Sequence, residues 1–294
     1  MESDKIFLII GGDLRQIYLA RMLSKYYTVY AMGFTQNLID DENVILIDNT
    51  FSQRIRADYI VLPVPALING SVISCPYSGK DVFLENIISF IKEDGIVFAG
   101  KTDSALTEFC DKNNFTLIDY LKREELAILN AIPTAEGAIQ IAFEEMATTV
   151  FNQKVLICGF GRIGKLLAIK LGALGANVTV CARKYSSLAW AQAYGFNSLH
   201  ISKIKPALHD FPLIINTVPA LIFDKENLEE IKSESLIIDL ASKPGGVDFE
   251  SAKTLGKKTI WALSLPGKVA PISSGNIIGT AILNILEERG AFGG

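Results

Sequence analysis

The chain has 294 residues, 49% of them hydrophobic, and a formal net charge of −4 at pH 7. This length allows two domains that each bury a core. The chain has no basic block, which argues against nucleic acid as a partner, and no apolar run approaches the ~18–20 residues that span a bilayer, so we expect no membrane partner either. The four cysteines lack CxxC spacing, and we expect reduced core thiols of a cytoplasmic protein and no metal site.

The first half of the chain alternates short apolar segments with amphipathic ones. Residues 5–10 predict a β-strand, since acidic residues precede them instead of the basic region of a signal peptide. A helix is expected after Gly11-Gly12-Asp13. This alternation predicts a mostly parallel sheet covered on both faces. Further strands are predicted at 28–32, 44–47, 59–62, 72–75, 96–99 and 115–119, and helices near 84–92 and at 104–113.

A long helical region separates the two halves. Residues 122–130 predict one helix. Pro133 and Thr134 are typical of a helix start, and Glu136 close behind them would suit the positive end of the helix dipole. A second helix is therefore expected to begin at this point and to run to about Val150 as a connector.

The alternation resumes in the second half, with strands predicted at 154–158, 177–181, 213–216, 236–240 and 258–263. Residues 271–289 predict an amphipathic helix that crosses back to the first domain, because the second sheet is complete without it. The predicted fold is α/β, with two doubly wound parallel sheets. The predicted parts are an N-terminal domain (1–130, completed by 271–290), a connector helix (131–151) and a Rossmann domain (152–270).

A glycine-rich turn begins directly after the apolar segment 154–158. Gly159 permits a tight turn, Gly161 lets a pyrophosphate approach the backbone, and Gly164 allows close packing of helix on strand. The following helix would offer free N–H groups to the phosphates. The order of strand, turn and helix favours a dinucleotide site over a glycine-rich turn without a ligand. The cofactor-binding residues predicted in this turn are Gly159, Phe160, Gly161, Arg162, Ile163 and Gly164.

The end of the next predicted strand lacks the acid that an NAD site usually places against the ribose 2′-hydroxyl. The sequence there is Ala182-Arg183-Lys184-Tyr185-Ser186. Arg183 can pair with a 2′-phosphate, while Lys184 and Ser186 add a charge and a hydroxyl, so NADP is favoured over NAD. An ordinary solvated loop remains the alternative for Arg183 and Lys184.

Two further turns follow predicted strands and are expected to flank the nicotinamide and an interdomain cleft. For the individual residues, turn chemistry alone is an equally good explanation. The predicted cofactor-binding residues are Ala182, Arg183, Lys184 and Ser186 from the first loop, and Asn216, Thr217, Val218, Pro219, Leu240, Ala241 and Ser242 from these turns.

Candidate catalytic residues are Asp13, Arg15 and Lys268. Arg15 suits bidentate binding of a carboxylate, and Asp13 suits either the site or the cap of the following helix. Lys268 is the only charge in the predicted loop 265–275, where it binds a second carboxylate, donates to a reacting group or is simply solvated. Arg15 and Lys268 are expected on opposite sides of the cleft. The N-terminal domain is thus the predicted substrate domain, and the Rossmann domain is the predicted NADP-binding domain.

The chain has only two histidines, His200 and His209, and both are expected away from the cleft. It therefore lacks the histidine proton shuttle of hydroxyacid dehydrogenases. A substrate whose own ring nitrogen or aromatisation assists hydride loss is favoured. The sequence contains no Zn-type Cys/His cluster and no Ser-His-Asp candidate.

Four segments together resemble the A-subunit family of dipicolinate synthase, over essentially the whole chain. The glycine turn is shared with many dehydrogenases, and the other three are more specific. More loosely, the architecture is similar to alanine dehydrogenase and formate/glycerate dehydrogenase-like enzymes, although their catalytic histidine is missing. The segments are Gly11-Gly12-Asp13-Leu14-Arg15-Gln16, residues 130–138 (Asn-Ala-Ile-Pro-Thr-Ala-Glu-Gly-Ala), residues 159–164 and residues 265–271 (Leu-Pro-Gly-Lys-Val-Ala-Pro).

The resemblance implies oxidation of a dihydrodipicolinate, formed from the aldolase product of the lysine pathway, to pyridine-2,6-dicarboxylate with NADP. It also implies the flavoprotein-like B-subunit of dipicolinate synthase as partner, an oligomeric complex and a role in the mother cell of a sporulating bacterium. Two alternatives remain open from the residues. One is an NADP-dependent amino or imino acid dehydrogenase of the same architecture, and the other is a non-catalytic NADP-binding protein that supports a partner.

Overall fold

The computed structural model describes residues 3–48 and 55–290, and the chain divides into two compact units. Unit 1 comprises Met1–Leu129 and Ala270–Gly294, and unit 2 comprises Asn130–Val269. Each unit contains a six-stranded sheet whose neighbouring strands all run parallel in the described part of the chain. The predicted α/β class with two parallel-sheet domains is confirmed.

Unit 1 holds its parallel sheet in the order β3-β2-β1-β4-β8-β9 and a small antiparallel sheet of β5, β6 and β7. Of this small sheet the sequence patterns predicted only the strand at 72–75, which corresponds to β6. Helices α1 (Leu14–Leu23) and α2 (Ser104–Lys112) connect strands. In chain order the strands are β1 (Ser3–Ile10), β2 (Tyr27–Met32), β3 (Val44–Ile47), β4 (Ala57–Val61), β5 (Leu67–Ile68), β6 (Val72–Ile73), β7 (Val82–Phe83), β8 (Ile91–Ala99) and β9 (Thr116–Asp119).

Residues 6–10 of the central strand β1 are all apolar because both faces of the unit 1 sheet are covered there. Phe7 and Ile9 belong to one core cluster, which includes buried residues of α1. Leu8 and Ile10 belong to the cluster on the opposite face, and all four side chains are fully buried. The period of two along the strand therefore supplies both faces of the core.

The prediction of a helix near 84–92 is wrong. A short 3-10 helix covers Leu84–Ser89, and β8 then begins at Ile91. Ile91 pairs with Ala57 of β4, and the Ala57 amide donates to the Phe90 carbonyl at 2.7 Å. The apolar residues of this segment fit a helix or a strand equally well, and pairing with β4 decides for the strand.

The two helices predicted on either side of Pro133 are one continuous helix, α3 (Glu124–Glu145). The Thr134 hydroxyl donates to the Asn130 carbonyl at 2.8 Å within this helix. Glu136 lies in mid-helix and forms an ion pair with Lys170 at 2.8 Å, so it does not interact with a helix start as predicted. Packing of the helix in the core outweighs the breaking tendency of proline.

Among the described helices, α3 alone has the length and apolar composition that would allow it to cross a membrane. Its residues Ala135, Ala138 and Ala142 are fully buried in a core cluster of unit 2. Packing inside this unit therefore accounts for part of the apolar composition, while Ile128, Leu129 and Phe143 of the same helix are exposed.

Unit 2 has the strand order β12-β11-β10-β13-β14-β15, which is the order of a Rossmann sheet. Residues 265–269, predicted as part of a loop, form the short helix α8 instead. The strands are β10 (Lys154–Cys158), β11 (Asn177–Ala182), β12 (Asn197–His200), β13 (Leu213–Asn216), β14 (Leu236–Asp239) and β15 (Lys258–Trp261), and the helices are α4 (Arg162–Ala173), α5 (Tyr185–Ala193), α6 (Lys225–Glu229), α7 (Phe249–Thr254) and α8 (Leu265–Val269).

The closing helix α9 (Pro271–Glu288) belongs to unit 1 and packs on α1, which confirms the predicted return of the chain. Glycines spaced by one turn permit a close approach of the two helices. A Cβ at Gly275 would lie 2.5 Å from the Arg15 carbonyl oxygen, and one at Gly279 would lie 2.6 Å from the Met22 sulfur. Any larger residue at Gly275 would therefore push α9 away from the helix that carries Arg15.

Candidate functional site

The glycine turn after β10 has the geometry of a phosphate-binding turn. Gly159 has a φ of +97°, its amide donates to the Cys181 carbonyl at 2.8 Å, and a Cβ there would lie 2.3 Å from the Thr217 hydroxyl oxygen. A Cβ at Gly164 would lie 2.2 Å from the Gly159 carbonyl oxygen. Only glycine fits these two positions, which fix the turn against the sheet and the first turn of α4 against the loop.

Gly161 differs from these two glycines because the space around it is open. A Cβ there would contact no heavy atom within 4 Å, and Gly161 is the N-cap of α4 with no side-chain cap. The first amides of α4 consequently have no acceptor within the helix, and the helix dipole makes this end positive. The turn can therefore accept a pyrophosphate at its backbone.

The side chains of this turn contribute to packing more than to a ligand site. Phe160 is 7% exposed, and its ring lies edge-on to Tyr194 with the Lys165 ammonium 6.0 Å from its centroid. Ile163 packs on the unit 2 core, while Arg162 is exposed. Of the six predicted residues, Gly159, Gly161 and Gly164 thus shape the backbone, and Phe160 and Ile163 anchor it.

The loop after β11 presents two cations. Ala182 ends the strand, Arg183 and Lys184 are exposed, and within the described part of the chain neither cation has an acidic partner. Lys184 is the N-cap of α5 and makes no side-chain cap, so the amides of Tyr185 and Ser186 in the first turn lack helical acceptors. Charge and free donors converge here in an arrangement that suits an anion.

The turns after β13 and β14 are held together by buried polar groups. The Asn216 side chain is fully buried, and its amide donates to Asp239 at 2.8 Å and to the Val218 carbonyl at 3.0 Å. Asp239 accepts the amide hydrogens of Ala241 at 3.0 Å and Gly246 at 2.7 Å. Asn216 therefore positions the turns and has no amide group left for a ligand.

The remaining predicted residues of these turns differ in accessibility. The Thr217 hydroxyl donates to the Cys158 carbonyl at 2.8 Å. Leu240 and Ala241 are buried, while Pro219 and Ser242 are exposed and Val218 is half-buried. Val218, Pro219 and Ser242 are thus the side chains of this group that a bound ligand can reach.

Sequence reasoning missed Asp239 and Trp261. The indole Nε1 of Trp261 donates to the Ala241 carbonyl at 2.9 Å, which fixes the turn after β14 from the neighbouring strand. An acid that ends an apolar strand was the available signal for Asp239. Within the described residues, no group of three or more His, Cys, Asp or Glu side chains is arranged to hold a metal ion.

In unit 1, Asp13 and Arg15 form a bidentate pair at the start of α1. Asp13 is the N-cap and accepts the Arg15 amide hydrogen at 3.0 Å. The same carboxylate accepts hydrogen bonds from Nε of Arg15 at 2.9 Å and from Nη2 at 2.8 Å. Asp13 therefore caps the helix and also orients a guanidinium whose Nη1 it does not bind.

A buried phenol and amide lie behind this pair. The Tyr120 hydroxyl donates to the Leu62 carbonyl at 3.0 Å, and Nε2 of Gln16 donates to the same oxygen at 2.9 Å. Burial raises the pKa of Tyr120, with Arg15 acting in the opposite direction. Tyr120 is therefore a neutral donor at physiological pH and does not serve as a base.

Lys101 follows β8 with a φ of +58°, an unusual conformation for a residue with a side chain. It is exposed, and it has no ion-pair partner within the described ranges. Lys268 is exposed on α8. Arg15 belongs to unit 1 and Lys268 to unit 2, and their predicted placement across a cleft stays a prediction.

The prediction that both histidines lie away from the cleft stays a prediction, but His200 lies beside a predicted cofactor-binding residue. It ends β12, and its Nε2 lies 3.1 Å from the Arg183 carbonyl oxygen. His209 is exposed beside Asp210, with 3.3 Å between Nε2 and the carboxylate. The pairing of β12 with β11 brings His200 to the loop that carries Arg183 and Lys184, called the cation loop below. Sequence spacing alone does not show this register.

Comparison with known proteins supports both halves of this description. Residues 6–121 match the family model of the N-terminal domain of the dipicolinate synthase A-subunit. Residues 132–247 match the NAD-binding domain of D-isomer specific 2-hydroxyacid dehydrogenases. The chain is also similar in fold to L-alanine dehydrogenase, at a TM-score of 0.64 and 15% identity over 97% of this chain and 90% of that one. The predicted similarity of architecture is confirmed.

Two relatives match over nearly the full length. The chain is 32% identical to the dipicolinate synthase A-subunit of Bacillus subtilis (strain 168), over 95% of both sequences. It is 35% identical in sequence to the dipicolinate synthase A-subunit from Bacillus halodurans. Superposition on the crystal structure of that protein gives a TM-score of 0.89 and covers 97% of this chain and 99% of that chain. The chain therefore belongs to the A-subunit family of dipicolinate synthase.

Proposed function

We propose that the protein oxidises a dihydrodipicolinate to pyridine-2,6-dicarboxylate with NADP as the hydride acceptor. The observation that carries this proposal is the cofactor geometry of unit 2 in a chain of this family. An open glycine turn at Gly161 is followed, at the end of β11, by Arg183 and Lys184 where an NAD site usually has an acid. The cofactor supplies the acceptor for the hydride, and the protein supplies binding and orientation.

The residues of unit 2 fit the two charged parts of NADP. The backbone at Gly161 and the start of α4 would bind the pyrophosphate, because the first amides of a helix have no acceptor within the helix and the space at Gly161 is open. Arg183 and Lys184 would bind the 2′-phosphate, with the first amides of α5 as additional donors. Asn216 and Asp239 would act indirectly by holding the turns next to the nicotinamide end.

The substrate side of the proposal rests on unit 1. A dipicolinate precursor carries two carboxylates, and Arg15 offers an oriented guanidinium whose Nη1 is not bound by Asp13. Lys268 is the candidate for the second carboxylate. Loss of hydride from a dihydropyridine ring is assisted by aromatisation, which reduces the demand for a strong protein base. This agrees with unit 1, whose described residues include no histidine and where burial raises the pKa of Tyr120 behind Arg15.

The family also carries an expectation about partners and place. We propose that the flavoprotein-like B-subunit of dipicolinate synthase joins this chain in an oligomeric complex, and that both act in the cytoplasm of the mother cell of a sporulating bacterium. Co-purification of the two proteins from sporulating cells is the direct measurement. Recovery of this chain without the B-subunit from such cells would contradict the partner proposal.

The reaction is tested by following reduced-nicotinamide absorbance with dihydrodipicolinate generated from the aldolase product. The assay is run with NADP and with NAD, and each with and without the B-subunit. Turnover with NADP and formation of pyridine-2,6-dicarboxylate is the expected result. Turnover of amino or imino acids only would instead indicate a different dehydrogenase. Tight NADP binding together with full activity of the complex after Arg15→Ala and Lys268→Ala would indicate a non-catalytic supporting role.

A further inference from the structure

His200 lies directly beside the cation loop because of strand register. It is the last residue of β12, and it pairs with Ala182, the last residue of β11. Parallel strands present their carboxyl ends at the same edge of a sheet. The residue that follows Ala182 is Arg183, so the histidine ring meets the loop at its first cation.

The hydrogen-bond partners of His200 assign a tautomer to its ring. Nε2 lies 3.1 Å from the Arg183 carbonyl oxygen, which can only accept, so Nε2 carries the hydrogen. Nδ1 accepts the Ser202 amide hydrogen at 3.3 Å, and the Ser202 hydroxyl oxygen lies 2.8 Å from the same nitrogen. A backbone amide can only donate, so Nδ1 is unprotonated. The ring is therefore the neutral Nε2–H tautomer, and both of its nitrogens are used.

The same ring also contacts the other end of the loop. The Tyr185 ring stacks on the His200 ring with 5.0 Å between centroids and an interplanar angle of 16°. His200 thus binds the segment Arg183–Lys184–Tyr185 at two points, by a hydrogen bond at its first residue and by stacking at its third. Lys184, between them, is held by the backbone on both sides.

A loop that carries two long exposed cations loses conformational freedom when it binds a phosphate. Fixing its backbone beforehand reduces that loss, and this is the general way in which preorganisation raises affinity. The two contacts of His200 leave the Arg183 and Lys184 side chains exposed while they fix the backbone beneath them.

We propose that His200 is a positioning residue for the 2′-phosphate of NADP: as the neutral Nε2–H tautomer it fixes the Arg183–Tyr185 backbone so that both cations face the phosphate. This inference rests on the proposed NADP dependence of the protein. It assigns His200 to cofactor selection and to no proton transfer. It also predicts that the cofactor end with the 2′-phosphate, and no other part of NADP, responds to changes at this residue.

The test compares two small probes, 2′,5′-ADP and 5′-AMP, which differ only in the 2′-phosphate. Their dissociation constants are measured by calorimetry for the full-length protein and for His200→Ala, His200→Gln and His209→Ala. Glutamine retains an N–H that can reach the Arg183 carbonyl, and His209 is the matched control because it is exposed beside Asp210. Thermal unfolding of each variant is recorded in parallel.

We expect His200→Ala to weaken 2′,5′-ADP binding about tenfold, because the variant loses one hydrogen bond and one aromatic contact. The same variant should change 5′-AMP binding less than about twofold. His200→Gln should recover part of the loss, and His209→Ala should match the unmodified protein. Equal losses for both probes, or no loss for either, would overturn the positioning role.

Failure of the proposed NADP dependence is distinguishable from failure of the role of His200, because an unmodified protein that binds both probes equally has no 2′-phosphate site. If His200→Ala does not fold, Tyr185→Ala carries the test instead. Tyr185 is 76% exposed, so its removal leaves the core intact. Loss of the stacking contact alone should weaken 2′,5′-ADP binding about threefold. Unchanged 2′,5′-ADP binding in that variant would overturn the proposal.

Discussion

The side-chain amide of Asn216 donates a 2.8 Å hydrogen bond to the carboxylate of Asp239, and neither residue is more than 1% exposed. The two residues are register partners on β13 and β14. Because Asp239 also accepts the amide hydrogens of Ala241 and Gly246, this pair joins two turns that leave the carboxyl edge of the sheet. The shape of the candidate cofactor site thus depends on a polar contact beneath it.

Replacement of Asn216 by alanine tests this relationship. We expect Asn216→Ala to lower the free energy of unfolding by about 2 kcal/mol, because a buried carboxylate loses a donor. Urea unfolding measures the change. Ser242→Ala, an exposed change in the turn after β14, is the control and should stay within about 0.5 kcal/mol. A result for Asn216→Ala that equals this control would show that the contact contributes nothing to stability.

Cofactor preference is tested at Arg183. Arg183→Asp places an anion where the 2′-phosphate is expected, and NADP affinity should fall by at least about tenfold while NAD affinity holds or rises. The control is Lys232→Asp, which makes the same kind of charge change at an exposed residue. Lys232 precedes β14 and so lies at the amino ends of the strands, away from the carboxyl ends that carry Arg183. Unchanged NADP affinity in Arg183→Asp would remove Arg183 from the site.

The glycine turn could be predicted from the sequence because each requirement there is local. Gly159 needs its positive φ, and Gly164 needs room for the Gly159 carbonyl, within six residues of chain. The Asn216–Asp239 contact could not be predicted, because it joins residues of two strands through their register. The contact of His200 with Arg183 could not be predicted for the same reason, since only the pairing of β12 with β11 brings the two residues together.

The errors in the predicted secondary structure have a related origin. Pro133 is a local signal for a helix start, yet α3 continues through it because its alanines pack into the core. The segment 84–92 contains apolar residues that satisfy either period, and pairing of Ile91 with Ala57 makes its end a strand. Local patterns thus predict the type of most elements, while packing and pairing fix their ends.

Lys101 provides a test of backbone strain. Its φ of +58° is unfavourable for a residue with a Cβ, so Lys101→Gly should raise the free energy of unfolding by up to about 1 kcal/mol. Lys101→Ala removes the same charge but keeps the Cβ, and it should give no such gain. Urea unfolding of the two variants separates strain from charge. Equal stability of the glycine and alanine variants would show that the conformation is not strained.

Asp58 predicts a pH dependence of stability. Burial raises its pKa, but the amide of Ile6 and the ammonium groups of Lys92 and Lys5 outweigh burial and hold the pKa below its ordinary value. A carboxyl whose pKa is lowered by folding stabilises the protein above its unfolded pKa, and this contribution is lost as pH falls through the folded value. The free energy of unfolding should therefore decrease as the pH falls below about 4.

The contribution of Asp58 is isolated by Asp58→Asn, measured by urea unfolding at neutral and acid pH. At neutral pH this variant should lose about 2 kcal/mol, because the two lysines lose their partner at a side chain that is 8% exposed. The variant should also lose less stability on acidification than the unmodified protein. Asp94→Asn, an exposed change between Lys92 and Ile96 on β8, is the control. An identical acid response in Asp58→Asn and Asp94→Asn would contradict the assignment.

Arg15 is the side chain on which the substrate proposal depends most. Arg15→Lys keeps the charge but loses the planar fork that pairs with Asp13 and leaves Nη1 for a carboxylate. We expect kcat/KM for dihydrodipicolinate to fall at least about tenfold, mainly through KM, because an oriented charge-assisted hydrogen bond to the substrate is lost. The dissociation constant for NADP should not change, since Arg15 is in unit 1 and the proposed cofactor residues are in unit 2.

The matched control for Arg15 is Lys25→Ala, which removes an exposed cation beyond the other end of α1. Asp13→Asn is informative as well, because asparagine can still cap the helix but no longer pairs with Arg15 by charge. If Arg15 binds a substrate carboxylate in the orientation that Asp13 gives it, Asp13→Asn should raise KM by less than Arg15→Lys does. A KM that is unchanged in Arg15→Lys and in Arg15→Ala would place the substrate carboxylates on other residues.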